Sequence, residues 1–205
     1  MHHSPTLSSS VLSFGLCLLI LLSACGEEVV YTPKPRAYPK VIYPERAYQQ
    51  FAEKYCAFSF EYPKYASIQQ DTAFFDERPV NACWFDVYVP DFNARLHCSY
   101  IPIDRKNNFE KLRDDAFKMA NEHIVKANAI DEIPIQNPNG VSGFAFEFGG
   151  ATATPFTFFL SDSTQHYLRG SLYFYTKSRP DSLAPVINFL KEDVFRIINT
   201  FEWKD

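Results

Sequence analysis

The order of periodic segments along the chain predicts an α+β fold, an antiparallel sheet with helices packed on it. Three observations carry this expectation. Short stretches rich in Phe, Tyr and Val alternate along one face and end at Pro, Gly or Asp, as strands do. Two longer stretches repeat apolar residues at i, i+3 and i+4, as amphipathic helices do. Their order is strands, a helix, three strands and a final helix.

Composition narrows the function classes. The chain has 205 residues with 46% hydrophobic and 21% charged, an ordinary globular balance. That is too much apolar material for a disordered chain. A formal net charge of -4 argues against a nucleic-acid partner. Aromatic content is high at 17%, with 20 Phe and 12 Tyr. The length suits one domain with a substantial core.

The first residues set the compartment. Val11–Leu22 is apolar but shorter than the roughly 20 residues of a spanning helix, so it reads as the apolar region of a signal peptide. Leu22-Ser23-Ala24-Cys25 follows and resembles a bacterial lipobox, which makes Cys25 the expected lipidation site, with palmitate among its acyl groups. The competing reading is a plain secretory signal. One feature departs from the pattern: residues 1–12 carry His2 and His3 but neither Lys nor Arg. The expected organisation is a lipoprotein signal peptide over 1–24, a lipidated N-terminus and Pro-rich tether over 25–54, and a single α+β domain over 55–205. Acyl chains anchor a protein to a membrane without a helix.

Four Pro lie between Thr32 and Glu45, so this stretch is extended. Lys34, Arg36 and Lys40 beside Tyr31, Tyr38 and Tyr43 make a candidate docking strip, against the plainer reading of a solvated linker. Phe58-Ser59-Phe60-Glu61-Tyr62 then alternates and stops at Pro63. Trp84–Val89 and Ala94–Tyr100 form an expected hairpin through Pro90-Asp91. Residues 107–129 read as a helix, with Asn107 and Glu110 resembling a capping box. Its buried stripe runs through Phe109, Leu112, Ala116, Met119, Ala120, His123 and Ala127. Strands are expected at 143–148, 155–160 and 166–176, with turns at Gly149-Gly150 and Asp162-Ser163. The last helix starts at an N-cap Asp181, has Pro185 in its first turn, and carries a core face from Leu183 to Phe201.

Of the five Cys, Cys17 leaves with the signal and Cys25 takes lipid. Cys56, Cys83 and Cys98 remain in a compartment that permits disulfides. Three thiols leave one over. Cys56–Cys83 is favoured because both flank early strands, Cys83–Cys98 is the alternative across the hairpin, and no disulfide at all is the third reading.

No catalytic or metal set assembles from motifs. Glu122-His123 lacks the second His of a zinc-protease motif, GxSxG is absent, and the carboxylates form no recognisable acid/base pair. His97 is expected on an exposed strand face beside Arg95 and Ser99, and His123 in the core stripe. No enzyme activity, metal or cofactor is expected. Phe189 and Phe195 lie beside the core stripe of the last helix, so they join Lys34, Arg36 and Lys40 as candidate partner-binding residues. The competing reading of the aromatics is a large aromatic core.

Several segments together resemble the gliding motility lipoprotein GldD family. They are YTPKPRAYPKVIYPERAY, CAFSFEYPKY, the pair Cys83-Trp84, GFAFEFGGATATPFTFFLSDSTQHYLRGSLYF and DSLAPVINFLKEDVFRIINTFEWKD. Ala37 and Cys98 depart from the family pattern. The resemblance implies an envelope lipoprotein, expected at the outer membrane, needed for gliding and for the linked type IX secretion system. It implies partners among other envelope proteins of that machinery and no known catalytic residues. A looser similarity, in FSFEYP and the closing helix, is to the PsbP-like fold, which raises the alternative of a small-ligand or metal-binding lipoprotein.

Overall fold

Alternating and helical periodicities become two sheets and two helices in a computed structural model that describes residues 40–70, 81–175 and 180–204. The strands are β1 (Tyr48–Phe51), β2 (Phe58–Pro63), β3 (Ser67–Gln70), β4 (Trp84–Val89) and β5 (Ala94–Pro102). Helix α1 (Phe109–Glu122) follows, then β6 (Ala127–Gln136), β7 (Ser142–Gly150), β8 (Phe156–Ser161) and β9 (His166–Phe174). Helix α2 (Pro180–Thr200) and β10 (Glu202–Trp203) close the chain. The large sheet has the order β3-β4-β5-β9-β8-β7-β6 and the small one β1-β2-β10, with antiparallel pairing throughout. The expected α+β class is what folds.

Period-2 alternation sends residues of the central strands to two different cores. On β8, Phe156, Phe158 and Leu160 join the larger core with Val186, Leu190, Val194 and Ile197 of α2, while Phe159 joins the smaller core under α1. Leu112, Ala116 and Ala120 are the residues α1 buries there, with Phe117 packed against Phe144 and Phe146. The aromatic excess is largely spent inside. Phe51 stacks on Phe60 at 4.7 Å and on Phe85 at 4.9 Å, and Phe58 on Phe201 at 5.3 Å. Gly170 makes room for this packing, since a Cβ there would lie 2.4 Å from the Phe158 ring.

Several expectations change. The tether does not reach residue 54: Tyr48–Phe51 is β1, paired with β2 from Tyr48↔Pro63 to Phe51↔Phe60, and Lys40 onward belongs to one compact unit. The backbone donors of these residues find partners on β2, and Phe51 finds the core. The first helix starts one residue later, with Asn108 as N-cap accepting from the Lys111 N–H at 2.9 Å. It also stops earlier, at Glu122, and the expected helical tail 127–129 instead opens β6. Met119, expected in the buried stripe, is exposed, and Phe117 fills that role. Gly149-Gly150 ends β7 rather than forming a turn, and Gly150 takes φ 97° beside the register shift at Ala127/Ala129. Asp162-Ser163 does form a turn, with Ser163 at φ 65°. Helix α2 starts at Pro180, so Asp181 lies inside its first turn and Pro185 beyond it.

Candidate functional site

Helical spacing brings a carboxylate onto the core face of α2. Asp193 is three residues after Leu190 and four before Ile197, so it is buried (3% exposed) with them. A buried carboxylate needs partners. The segment preceding β1, the first residue of β1 and the turn after β2 provide them. The Tyr48 hydroxyl donates to Asp193 Oδ1 at 2.9 Å, and the Tyr65 hydroxyl donates to Oδ2. Arg46 Nε lies 3.5 Å from Oδ1, and its Nη1 reaches the Glu192 carboxylate at 2.8 Å. Arg46 Nη2 donates to the Phe189 carbonyl at 3.0 Å, and its guanidinium sits 4.3 Å above the Phe189 ring. Burial raises the Asp193 carboxyl above its usual range, against the opposing pull of the two hydroxyls and Arg46. Burial, with the Asp193 hydrogen bond, pushes the Tyr65 hydroxyl strongly upward.

Phe189 is the aromatic centre of this junction. Tyr43 lies 4.7 Å from it, Phe92 5.8 Å and Tyr65 6.1 Å. It therefore meets the chain's own residues on several sides and is half-buried. Phe195 packs elsewhere, edge-on to the buried Phe156 at 5.5 Å. The surface the junction leaves open belongs to Lys40, Ile42 and Tyr43, of which Ile42 is 80% exposed. Lys34, Arg36 and Cys25 lie outside the described residues. Arg46, Tyr48, Tyr65 and Asp193 escaped sequence reasoning. The signal was Asp193 itself, a charge at core spacing.

The histidines are held by neighbours. His97 is buried, not exposed: its Nδ1 lies 2.9 Å from Asp86 Oδ1, and Arg95 donates to Asp86 Oδ2 at 2.9 Å. The polar face of β4 and β5 closes over it with Trp84, edge-on at 6.3 Å. His123 caps α1, half-buried, 4.4 Å from the Phe148 ring, and burial lowers its pKa. His166 Nδ1 is 2.7 Å from the Tyr100 hydroxyl. Among the described residues no group of three or more His, Cys, Asp and Glu is placed to hold a metal. Cys56 and Cys83 form a disulfide with Cα atoms 5.6 Å apart, while Cys98 is a buried free thiol that burial pushes far up.

Fold and junction together define an aromatic-cored α+β domain whose N-terminal lead is clamped to its last helix. The chain belongs to the gliding motility lipoprotein GldD family, whose model matches residues 28–203. A role in gliding motility and a lipid-anchored place in the cell envelope follow from that family. No helix among the described residues is long and apolar enough to cross a membrane. Among curated proteins none matches the chain. The solution structure of cyanobacterial PsbP (CyanoP) from Synechocystis sp. PCC 6803 is similar over 84% of this chain and 99% of that one, at 10% identity and a TM-score of 0.46. That likeness is too distant to carry chemistry across.

Proposed function

We propose that this protein is an outer-membrane lipoprotein, anchored through Cys25, required for gliding motility and the linked type IX secretion system, and that it works by assembling or stabilising that machinery through protein contacts. Family membership over 28–203 supports the gliding role. One observation carries the contact mechanism. The junction engages Arg46, Tyr48, Tyr65 and Asp193 with one another, yet leaves Lys40, Ile42 and Tyr43 open where the chain emerges from the domain. Exposed aromatic and aliphatic side chains beside basic ones suit a protein partner. Lys34 and Arg36 extend the same chemistry along the tether, and Phe189 supports Tyr43 from below. Phe195 remains a candidate contact on the flank of α2.

Charge reversal of Lys34, Arg36 and Lys40 together in the full chain tests the reading. Gliding and type IX secretion should fall together while protein level and acylation stay unchanged. Cross-linked envelopes should then yield fewer co-purified machinery components. Normal gliding and secretion in that variant would end the proposal.

A further inference from the structure

Three turns and the C-terminal end of the chain converge on a cleft of about 700 Å³ that the junction does not touch. Lys54, Tyr55, Gln165, His166, Trp203 and Lys204 line it, with Asn139 and Asp162 at its margin. The volume falls within the range of small-molecule sites. Its walls are fixed in advance. The Cys56–Cys83 disulfide pins the segment before β2, and the Lys204 N–H donates to the Ala57 carbonyl at 2.9 Å. Asn139 Nδ2 donates to the Phe201 carbonyl at 3.0 Å. Asp162 Oδ1 accepts from the Thr164, Gln165 and His166 N–H groups, each at 2.9 Å. The His166 ring stacks on Trp203 at 5.0 Å and is held from behind by Tyr100.

The lining chemistry selects a ligand class. Tyr55 is 54% exposed and offers a flat ring, and the half-buried His166–Trp203 stack adds an aromatic wall. Aromatic faces suit the C–H faces of sugars, and the amide of Gln165 and the carboxylate of Asp162 suit hydroxyls. Lys54 and Lys204 make no ion pair among the described residues, in a chain of net charge -4. Nothing among the described residues accepts the Trp203 indole N–H. No aliphatic Leu, Ile, Val or Met side chain lines the cleft, so it lacks the pocket an apolar peptide anchor needs. We infer that this cleft binds a carboxylate-bearing oligosaccharide, its rings on Tyr55 and the His166–Trp203 pair and its carboxylates on Lys54 and Lys204. Such a glycan comes from the cell wall, as muramyl sugar, or from surface polysaccharide, as uronate. The inference stands independently of the contact mechanism.

The test is calorimetric titration of the full chain in detergent micelles with tetragalacturonic acid, a muramyl-containing tetrasaccharide, cellotetraose and tetraglutamate. At least one acidic oligosaccharide should bind at least tenfold more tightly than cellotetraose and tetraglutamate. Whichever acidic sugar binds more tightly identifies the source. Tyr55→Ala, and Lys54→Ala with Lys204→Ala, should each weaken that binding at least tenfold while the melting curve is unchanged, as expected for the exposed Tyr55 and Lys54 and the half-exposed Lys204. Binding should also quench indole fluorescence, and Trp203→Phe should remove most of the quench. Failure of both acidic sugars to bind, equal binding of cellotetraose or tetraglutamate, or affinity indifferent to both variants would overturn the inference.

Discussion

Asp193 gives the domain a pH dependence that can be read at one residue. Burial raises its carboxyl above the unfolded value of 3.8. A group whose folded pKa is raised contributes fully below its unfolded pKa, and that contribution is lost as pH climbs through the folded one. Urea titrations at pH rising from about 3.8 should therefore show wild type losing stability relative to Asp193→Asn. Tyr65 follows the same sign at the alkaline end. Its hydroxyl is raised from 10.0, so the folded chain resists its ionisation and loses stability as pH rises above that value, a loss that Tyr65→Phe should blunt. Asn137 is the other residue on which much converges. Its buried Nδ2 donates to the Ile198 and Phe201 carbonyls at 2.9 and 2.7 Å, and its Oδ1 accepts from the Asn139 and Val141 N–H groups. Asn137→Ala strands these groups and should cost about 3 kcal/mol in chemical denaturation.

At the scale of elements, the disulfide and the glycines set the tolerances. The Cys56–Cys83 link closes a separation of 27 residues, so Cys56→Ala with Cys83→Ala should cost about 3 kcal/mol in denaturant titrations. Gly143 on β7 has no space for a side chain, because a Cβ would fall 1.8 Å from the Phe159 carbonyl oxygen. Gly143→Ala must part β7 from β8 and should cost about 3 kcal/mol, measured the same way. The elements legible in the sequence were those with a strong single period. β2 and β4 alternate cleanly, β8 and β9 are apolar runs bounded by turn residues, and α2 carries a long apolar face. β6 was hidden because Ile130 serves the core under α1 while Ile133 and Ile135 serve the other. That edge strand carries Pro134, Asp131 and Glu132, which mask the pattern and also guard an edge against stray pairing. β1, β3 and β10 are two to four residues long, too short for any period to show. The junction was hidden for a different reason. Its members come from residues 43–65, Phe92 and residues 189–193, and only tertiary packing unites them.

For the whole molecule, the envelope role makes attachment as important as fold. Cys25→Ala should release the domain from the membrane, and gliding and type IX secretion should decline together even though the soluble domain stays folded, because anchoring keeps the domain concentrated near its partners. Fractionation, secretion profiles and spreading assays on the same strain check the three parts of that expectation. His166→Ala should leave both functions intact if contacts at the tether carry them, and would still disturb the cleft beside Trp203.

If the lipid anchor and the motility machinery pull on this protein from opposite sides, as the proposed function requires, tension runs along its N-terminal lead. Past the ring contact of Tyr43 with Phe189, that tension meets the first polar clamp of the folded domain at Arg46, which grips the Phe189 carbonyl, Glu192 and Asp193 before β1 begins. Arg46 thus acts as the strain relief on a cable. It passes the pull sideways into α2, a helix packed along the main core, and spares the four-residue pairing of β1 with β2 from being peeled. Single-molecule pulling from the N-terminus should show Arg46→Ala lowering the force of the first rupture while leaving the later unfolding of the seven-stranded sheet unchanged.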